Sequence, residues 1–277
     1  MTAATRTRAG RALLLVLTLA AIAFMVLPTL IVLLTAFKPQ ASIDRWPPTL
    51  LPGAPTLDNF ATILDTLPFG RMFLNSLVFA TGVTALTLVF DSLAAYALAR
   101  IDFRGRRALL LVLIATLMVP FQATLIPVYQ IVADLGWVNT FQGMITPRAA
   151  SVFGIYLLRQ FFVALPRDLD SAARLDGAGE FRVFWSIVLP NATPALITLG
   201  LFSFVNNWND LLWPLIFTTT PEMATAVSGL SLLTGQSGTA PYGVMMAGAL
   251  ITTAPLVIIF LFFQRRFVEG VATTGMK

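Results

Sequence analysis

From Ala12 to Ala36 the chain runs without one charged side chain. Folded as a helix, such a run crosses roughly 30 Å of hydrocarbon. No water reaches backbone groups in that layer, so the run must close its own hydrogen bonds as a helix. Arg6, Arg8 and Arg11 precede it, and Pro28 inside it predicts a kink. The triplet Ala21-Ile22-Ala23 has the small-residue pattern of a cleavage site. The run is, however, about twice as long as a signal peptide's apolar region, so we read it as an uncleaved span. Apolar stretches recur at about 73–99, 108–129, 141–165, 195–217 and 242–263. The expected fold class is therefore all-α, a polytopic membrane protein with six transmembrane helices.

Composition agrees. Hydrophobic residues make up 57% of the chain and charged ones 11%, whereas a soluble domain carries about a quarter charged residues. The chain has no Cys and no His, which excludes disulfides, thiolate nucleophiles, zinc fingers and imidazole acid–base chemistry. Its only lysines are Lys38 and Lys277, and neither follows a glycine-rich loop. No phosphate-cradling loop for ATP is present in this sequence. No catalytic, cofactor-binding or metal-ligating residue is assigned.

Three regions are expected. Residues 1–72 hold the N-terminal tail, the first span and an external loop rich in proline (Pro39, Pro47, Pro48, Pro52, Pro55), with a short helix near Asn59–Leu64. Residues 73–265 hold a core of five helices, and 266–277 form a tail. In the core, Asp91 places a carboxylate inside the second span. It is either functional or satisfied by a neighbouring helix or the nearby inner face. Pro120 and Pro127 interrupt the third span, where Gln122 adds a polar site. Ala247, Gly248 and Ala249 permit close helix approach in the last.

The stretch 166–190 is the longest charged island between two apolar segments. Asp168 is placed as an N-cap, and Leu169, Ala172 and Ala173 share one face of a short helix. Gly177 stops it by accepting a left-handed backbone. Phe181, Phe184, Trp185 and Val188 follow at i, i+3, i+4, i+7 on a second short helix, and Pro190 closes the unit. The bland reading is an amphipathic loop on the lipid surface.

Further on, Asn206, Asn209, Asp210 and Trp213 share a helical face in the fifth span. Amides and a carboxylate beside an indole suit a sugar, since polar groups bond hydroxyls and the ring stacks on a C–H face. Asparagines also bond across spans as plain packing glue. Fourteen of the 18 Lys and Arg residues fall on the side of the N-terminus, the 100–107 loop, the 159–182 region and the tail. Only Lys38, Arg45, Arg71 and Arg148 fall on the other. An excess of basic residues marks the cytoplasmic face, so both termini and the 166–190 loop are expected there.

The order S-A-A-x-x-D-G-A, eight residues, then I-x-L-P resembles the cytoplasmic "EAA" loop of ABC-importer permeases. Ala172, Ala173, Asp176, Gly177, Ile187, Leu189 and Pro190 stand at its spacing. That motif has Glu where this chain has Ser171, and Asp170 is the carboxylate one residue earlier. F-L-N-S at 73–76, A-A-Y-A-L-A-R at 94–100, W-N-D at 208–210 and the Q-R-R-F-V-E-G tail resemble the same family, in the same order. The likeness is to the second permease subunit of a carbohydrate importer of the maltose type. It implies a type I importer permease fold whose coupling helix docks in a separate ATPase, which binds ATP and Mg in place of this chain. It also implies a second permease as heterodimer partner, a dimer of ATP-binding subunits, an extracytoplasmic solute-binding protein, and a tail that reaches the ATPase interface. The coupling residues would be Asp170, Ser171, Ala172, Ala173, Asp176, Gly177, Ile187 and Pro190. Two other classes are open: an ion-coupled secondary transporter using Asp91 and Asp210, and a membrane enzyme or scaffold.

Overall fold

The computed structural model describes residues 8–47, 49–237 and 241–274. Every element along them is helical. The chain divides into two compact units: residues 1–68 with 230–254, and residues 69–229 with 255–277.

The first unit opens with α1 (Arg8–Ala36), which contains Pro28, and with a single turn, α2 (Gln40–Ile43). The apolar length of α1, Leu13–Ala36, has none of its most hydrophobic window buried. A surface of that kind is not tolerated in water. The short helix near residue 59 is α3 (Asp58–Thr66). Its buried Asn59 donates from Nδ2 to the carbonyls of Ala36 (2.9 Å) and Lys38 (2.8 Å). These are carbonyls that the end of α1 leaves without helical partners. A β-carbon on Gly248 would fall 2.4 Å from Ile63 and 2.3 Å from Leu230. The small residues of the last span thus serve close approach, as expected from their size.

The second unit is built on α4 (Phe69–Arg100), an unbroken helix of 32 residues. Asn75 and Ser76, from the F-L-N-S phrase, hold a distant loop. Asn75 Nδ2 donates to the carbonyls of Glu222 (2.7 Å) and Ala224 (2.9 Å), and Ser76 Oγ accepts from the Ala226 N–H (2.9 Å). That loop leads into α14 (Ala226–Ser237) and then α15 (Tyr242–Thr274), whose Pro255 lies at the division between the units. The tail expected at 266–277 continues this helix to Thr274, and 275–277 lie outside the described residues.

Three of the six expected spans appear as single long helices: α1, α4 and the 242–262 part of α15. The other three are broken. The third is α5 (Arg106–Thr116) and α6 (Phe121–Asp134), bent by 98° where Pro120 denies a hydrogen-bond donor. The fourth is α7 (Phe141–Ile145), a tight 3₁₀ turn at Thr146–Arg148, and α8 (Val152–Ala164), only 13 residues long. Beyond it come α9 (Asp168–Leu175), α10 (Glu180–Val183), a wide turn at Phe184–Val188, and α11 (Leu189–Asn191). The chain bends by 79° into α12 (Thr193–Trp208), then breaks again before α13 (Leu212–Phe217). The continuous fifth span expected over 195–217 is therefore two helices.

Two apolar cores sit along α4. One gathers Ala95, Tyr96 and Ala99 with Leu158, Phe162, Val183, Phe184, Val188 and Leu199. The other gathers Phe79 and Val83 with Leu125, Met144, Trp213 and Phe217. Phe79 and Ala95 are roughly 24 Å apart along the helix axis at 1.5 Å per residue. The first core carries the loop, and the second carries the polar residues of α12 and α13.

Candidate functional site

The loop begins with α9, whose N-cap is Arg167 without a side-chain bond. Asp168 is the first helical residue, so the expected cap is one position off. It acts with Asp170 as acidic charge in the first turn, where the helix dipole favours it. Asp170 points inward. Its Oδ2 lies 3.1 Å from Arg100 Nη1 at the end of α4, and the two side chains are 4% and 2% exposed. Arg100 Nη2 also donates to the Leu165 carbonyl at 2.9 Å. α9 is thus tied to α4, whose Arg100 also holds the end of α8. Ser171, at the motif's Glu position, is exposed, and its Oγ donates to the Arg167 carbonyl at 3.2 Å.

Gly177 has φ +82°, and it ends α9 as read from the sequence. Its N–H donates to Arg174 O (3.0 Å) and the Ala178 N–H to Ala173 O (2.9 Å), the paired bonds of a Schellman end. A second tie follows. Arg174 donates from Nε to Glu180 Oε1 (2.9 Å), and the Tyr96 hydroxyl donates to Glu180 Oε2 (2.7 Å). Glu180 so joins both turns of the loop to α4.

The expected stripe Phe181, Phe184, Trp185, Val188 divides. Phe184 and Val188 are in the core, while Phe181 and Trp185 are 71% and 63% exposed, their rings nearly parallel with centroids 6.4 Å apart. Phe181 and Trp185 stand four residues apart on one side and Phe184 and Val188 on the other, and from Phe184 the helix widens, the Leu189 N–H reaching back five residues to Phe184 O. Leu175, at 89%, is exposed as well. Ala172, Asp176 and Pro190 are exposed, and Ala173 and Ile187 are half-buried.

The second cluster surrounds a cavity of about 1050 Å³ within the 69–229 unit. Asn206, Asn209, Asp210 and Trp213 all line it. They meet there because the helix breaks: Asn209 closes α12 by donating to Val205 O (3.1 Å), and Asp210 Oδ1 accepts the Trp213 N–H (3.1 Å) at the start of α13. Arg148, from the tight turn before α8, forms an ion pair with Asp210. Its guanidinium lies 5.3 Å from the centre of a Trp213 ring and 6.0 Å from those of Phe79 and Phe121. Trp213 also stacks on Phe217 at 4.1 Å, and its Nε1 donates to Met144 O at 3.0 Å. The indole is therefore held as a wall of the cavity, with 3% of it exposed. The exposed amides of Asn206 and Asn209 remain the open polar groups. Asn207 Oδ1, beside them, is buried with no hydrogen-bond partner among the described residues.

Asp91 is fully buried and is satisfied by a neighbouring helix. It accepts from the N–H and the Oγ of Ser151, both at 2.9 Å. Ser151 Oγ in turn caps α8 by accepting from the Gly154 N–H at 3.0 Å. A β-carbon on Gly154 would fall 2.0 Å from Asp91 Oδ2. This clamp fixes the segment that carries Arg148. Sequence reasoning missed Arg148, Ser151 and Arg100 as site residues. The two arginines counted only as topological charges, and their aspartate partners lie far along the chain.

Comparisons with known proteins place the chain among relatives. The chain is 36% identical over 268 residues to the arabinooligosaccharides transport system permease protein of Halalkalibacterium halodurans, covering 95% of this chain and 96% of that one. It is 35% identical over 251 residues to the sn-glycerol-3-phosphate transport system permease protein of Yersinia pestis, covering 88% and 89%. A chain of a bacterial ABC transporter involved in alginate import shares the fold with a TM-score of 0.84 over 96% of this chain and 99% of that one, at 22% identity. Residues 91–273 match a family model, and the chain belongs to the family it describes, the inner membrane components of binding-protein-dependent transport systems.

Proposed function

We propose that the chain lines the membrane passage of an ATP-driven importer for a sugar or sugar-like solute: an oligosaccharide, a disaccharide or a glycerophosphodiester. It does so beside a second permease subunit and takes its cargo from an extracytoplasmic solute-binding protein. A dimer of separate subunits binds ATP and Mg and hydrolyses the nucleotide. The loop 166–190 receives their motion, with both termini and the loop in the cytoplasm. The single observation that carries this reading is the two-sided loop. Its inner side is tied to α4 through Asp170 and Glu180, and its outer side presents Leu175, Phe181 and Trp185 to a partner. An apolar ridge on a tethered support transmits force, because a push on it cannot be absorbed by the loop alone. Ser171, Ala172, Asp176, Gly177 and Pro190 frame that contact, with Ala173, Ile187 and Asp170 beneath it. The names of the relatives support a carbohydrate-like cargo, and the cavity beside Asn206, Asn209 and Asp210 supplies the polar lining such a cargo needs.

The test is Phe181→Ala with Trp185→Ala in the complete importer. Uptake should fall at least tenfold and the ATP-hydrolysing subunit should no longer copurify, while the permease remains folded. Full uptake with normal copurification would overturn the reading.

A further inference from the structure

The relatives differ in the charge of what they are named for. Arabinooligosaccharides are neutral, and sn-glycerol-3-phosphate is an anion. The lining of the cavity separates these two cases. Its side chains carry one positive group, Arg148, and one negative group, Asp210, and the two are paired with each other. Arg148 is further enclosed by the rings of Phe79, Phe121 and Trp213. An anion entering here would meet a cation already neutralised and walled by aromatic faces, and it would also meet the Asp210 carboxylate. What the cavity offers besides is amide and hydroxyl chemistry: Asn206, Asn209, Ser203 and Thr124. Those groups donate to and accept from hydroxyls without favouring charge.

We propose that this chain's wall of the passage is electrically neutral and favours an uncharged polyhydroxylated solute, such as a neutral oligosaccharide, over uronates and phosphate esters. This rests on reading the cavity as the solute passage. Asp210 is then a specificity-determining residue: it holds Arg148 in a state that attracts no anion. Release of Arg148 by Asp210→Asn would convert the passage to an anion-attracting one, because the amide keeps the hydrogen bond to the Trp213 N–H but loses the charge.

The absence of cysteine makes a direct measurement possible. Cysteine is placed on the cavity wall at Asn206→Cys or, independently, at Thr124→Cys, in the complete importer. Its modification is timed with an anionic, a cationic and a neutral thiosulfonate of similar size, each rate divided by that for a free thiol in solution. The importer without the introduced cysteine provides the background. The three scaled rates should agree within about threefold. With Asp210→Asn the anionic reagent should gain tenfold or more over the cationic one, and with Arg148→Gln the cationic reagent should gain instead. A tenfold preference for the anionic reagent before any charge is altered would overturn the neutral-passage proposal, as would rates unmoved by both variants. Failure of the underlying reading looks different. It would appear as no modification by any reagent, or as modification at both positions that leaves uptake unchanged.

Discussion

Two arginine–aspartate pairs in the unit built on α4 join residues distant along the chain, and they differ in what surrounds them. Arg100–Asp170 is sealed, with side chains 2% and 4% exposed, and it ties a loop helix to the end of the main post. Arg148–Asp210 is 19% and 16% exposed, borders a cavity and sits against aromatic rings. A sealed pair is costly to disrupt, because removing one member leaves a buried charge alone. A pair open to a cavity can rearrange when something enters. The contrast teaches that the same two side chains make a rigid joint where solvent is excluded and, on the proposed reading, an electrostatic filter where it is admitted. Under the proposed function the loop needs the first to transmit displacement, and the passage needs the second to choose.

The largest effect expected is at the sealed pair. Asp170→Ala should destabilise the protein by about 3–5 kcal/mol and abolish uptake, read by thermal unfolding of the purified importer. Exchanging the two residues, Arg100→Asp with Asp170→Arg, should recover part of that loss. A single variant with unchanged unfolding would end the comparison. Next is Gly154→Ala, whose added carbon meets the Asp91 carboxylate at 2.0 Å. Forcing that clamp apart should cost about 1–3 kcal/mol and weaken the hold on Arg148, seen as lower uptake together with a lower unfolding temperature. At the open pair, Asp210→Asn should cost only about 1 kcal/mol yet change which solutes are carried. Equal stability losses at Asp170→Asn and Asp210→Asn would show that the two pairs are not of different kinds. The smallest effect concerns the loop's bend. Gly177→Ala should cost about 1 kcal/mol, since φ +82° strains a β-carbon, and Gly177→Asn should cost less. No neighbour lies within 4 Å of the added carbon. The loss should therefore follow backbone preference and not side-chain size, which a series through Asn, Ala and Leu measured by unfolding would separate.

Much of the fold was legible because lipid imposes a simple rule on long apolar runs, and α1, α4 and α15 obey it. The position of Gly177 was legible too, since few residues accept its backbone. The breaks were not. Pro120 and Pro127 both interrupt the third apolar stretch, yet the 98° bend falls at Pro120 while Pro127 stays inside α6. Which proline bends a helix depends on which neighbour meets the freed carbonyls, and periodicity carries no such information. The cluster at Asn206, Asn209, Asp210 and Trp213 was found for a partly mistaken reason: the residues converge through a break and not along one helical face. Arg148 stayed hidden because its partner is 62 positions away. Nothing local distinguishes an arginine in a tight turn from one that only marks a membrane boundary.

The wide turn at Phe184–Val188 has a consequence for spacing. Each residue of an ordinary helix advances the chain by about 100° of rotation. The extra residue accommodated here therefore sets the clocking of everything that follows. Removing one residue from it would leave composition and hydrophobicity almost untouched, yet it would turn α11 by over a quarter of a circle and so re-aim the bend that leads into α12. On the proposed reading, one deletion there would disturb the motor's contact at Trp185 and the cargo's wall together.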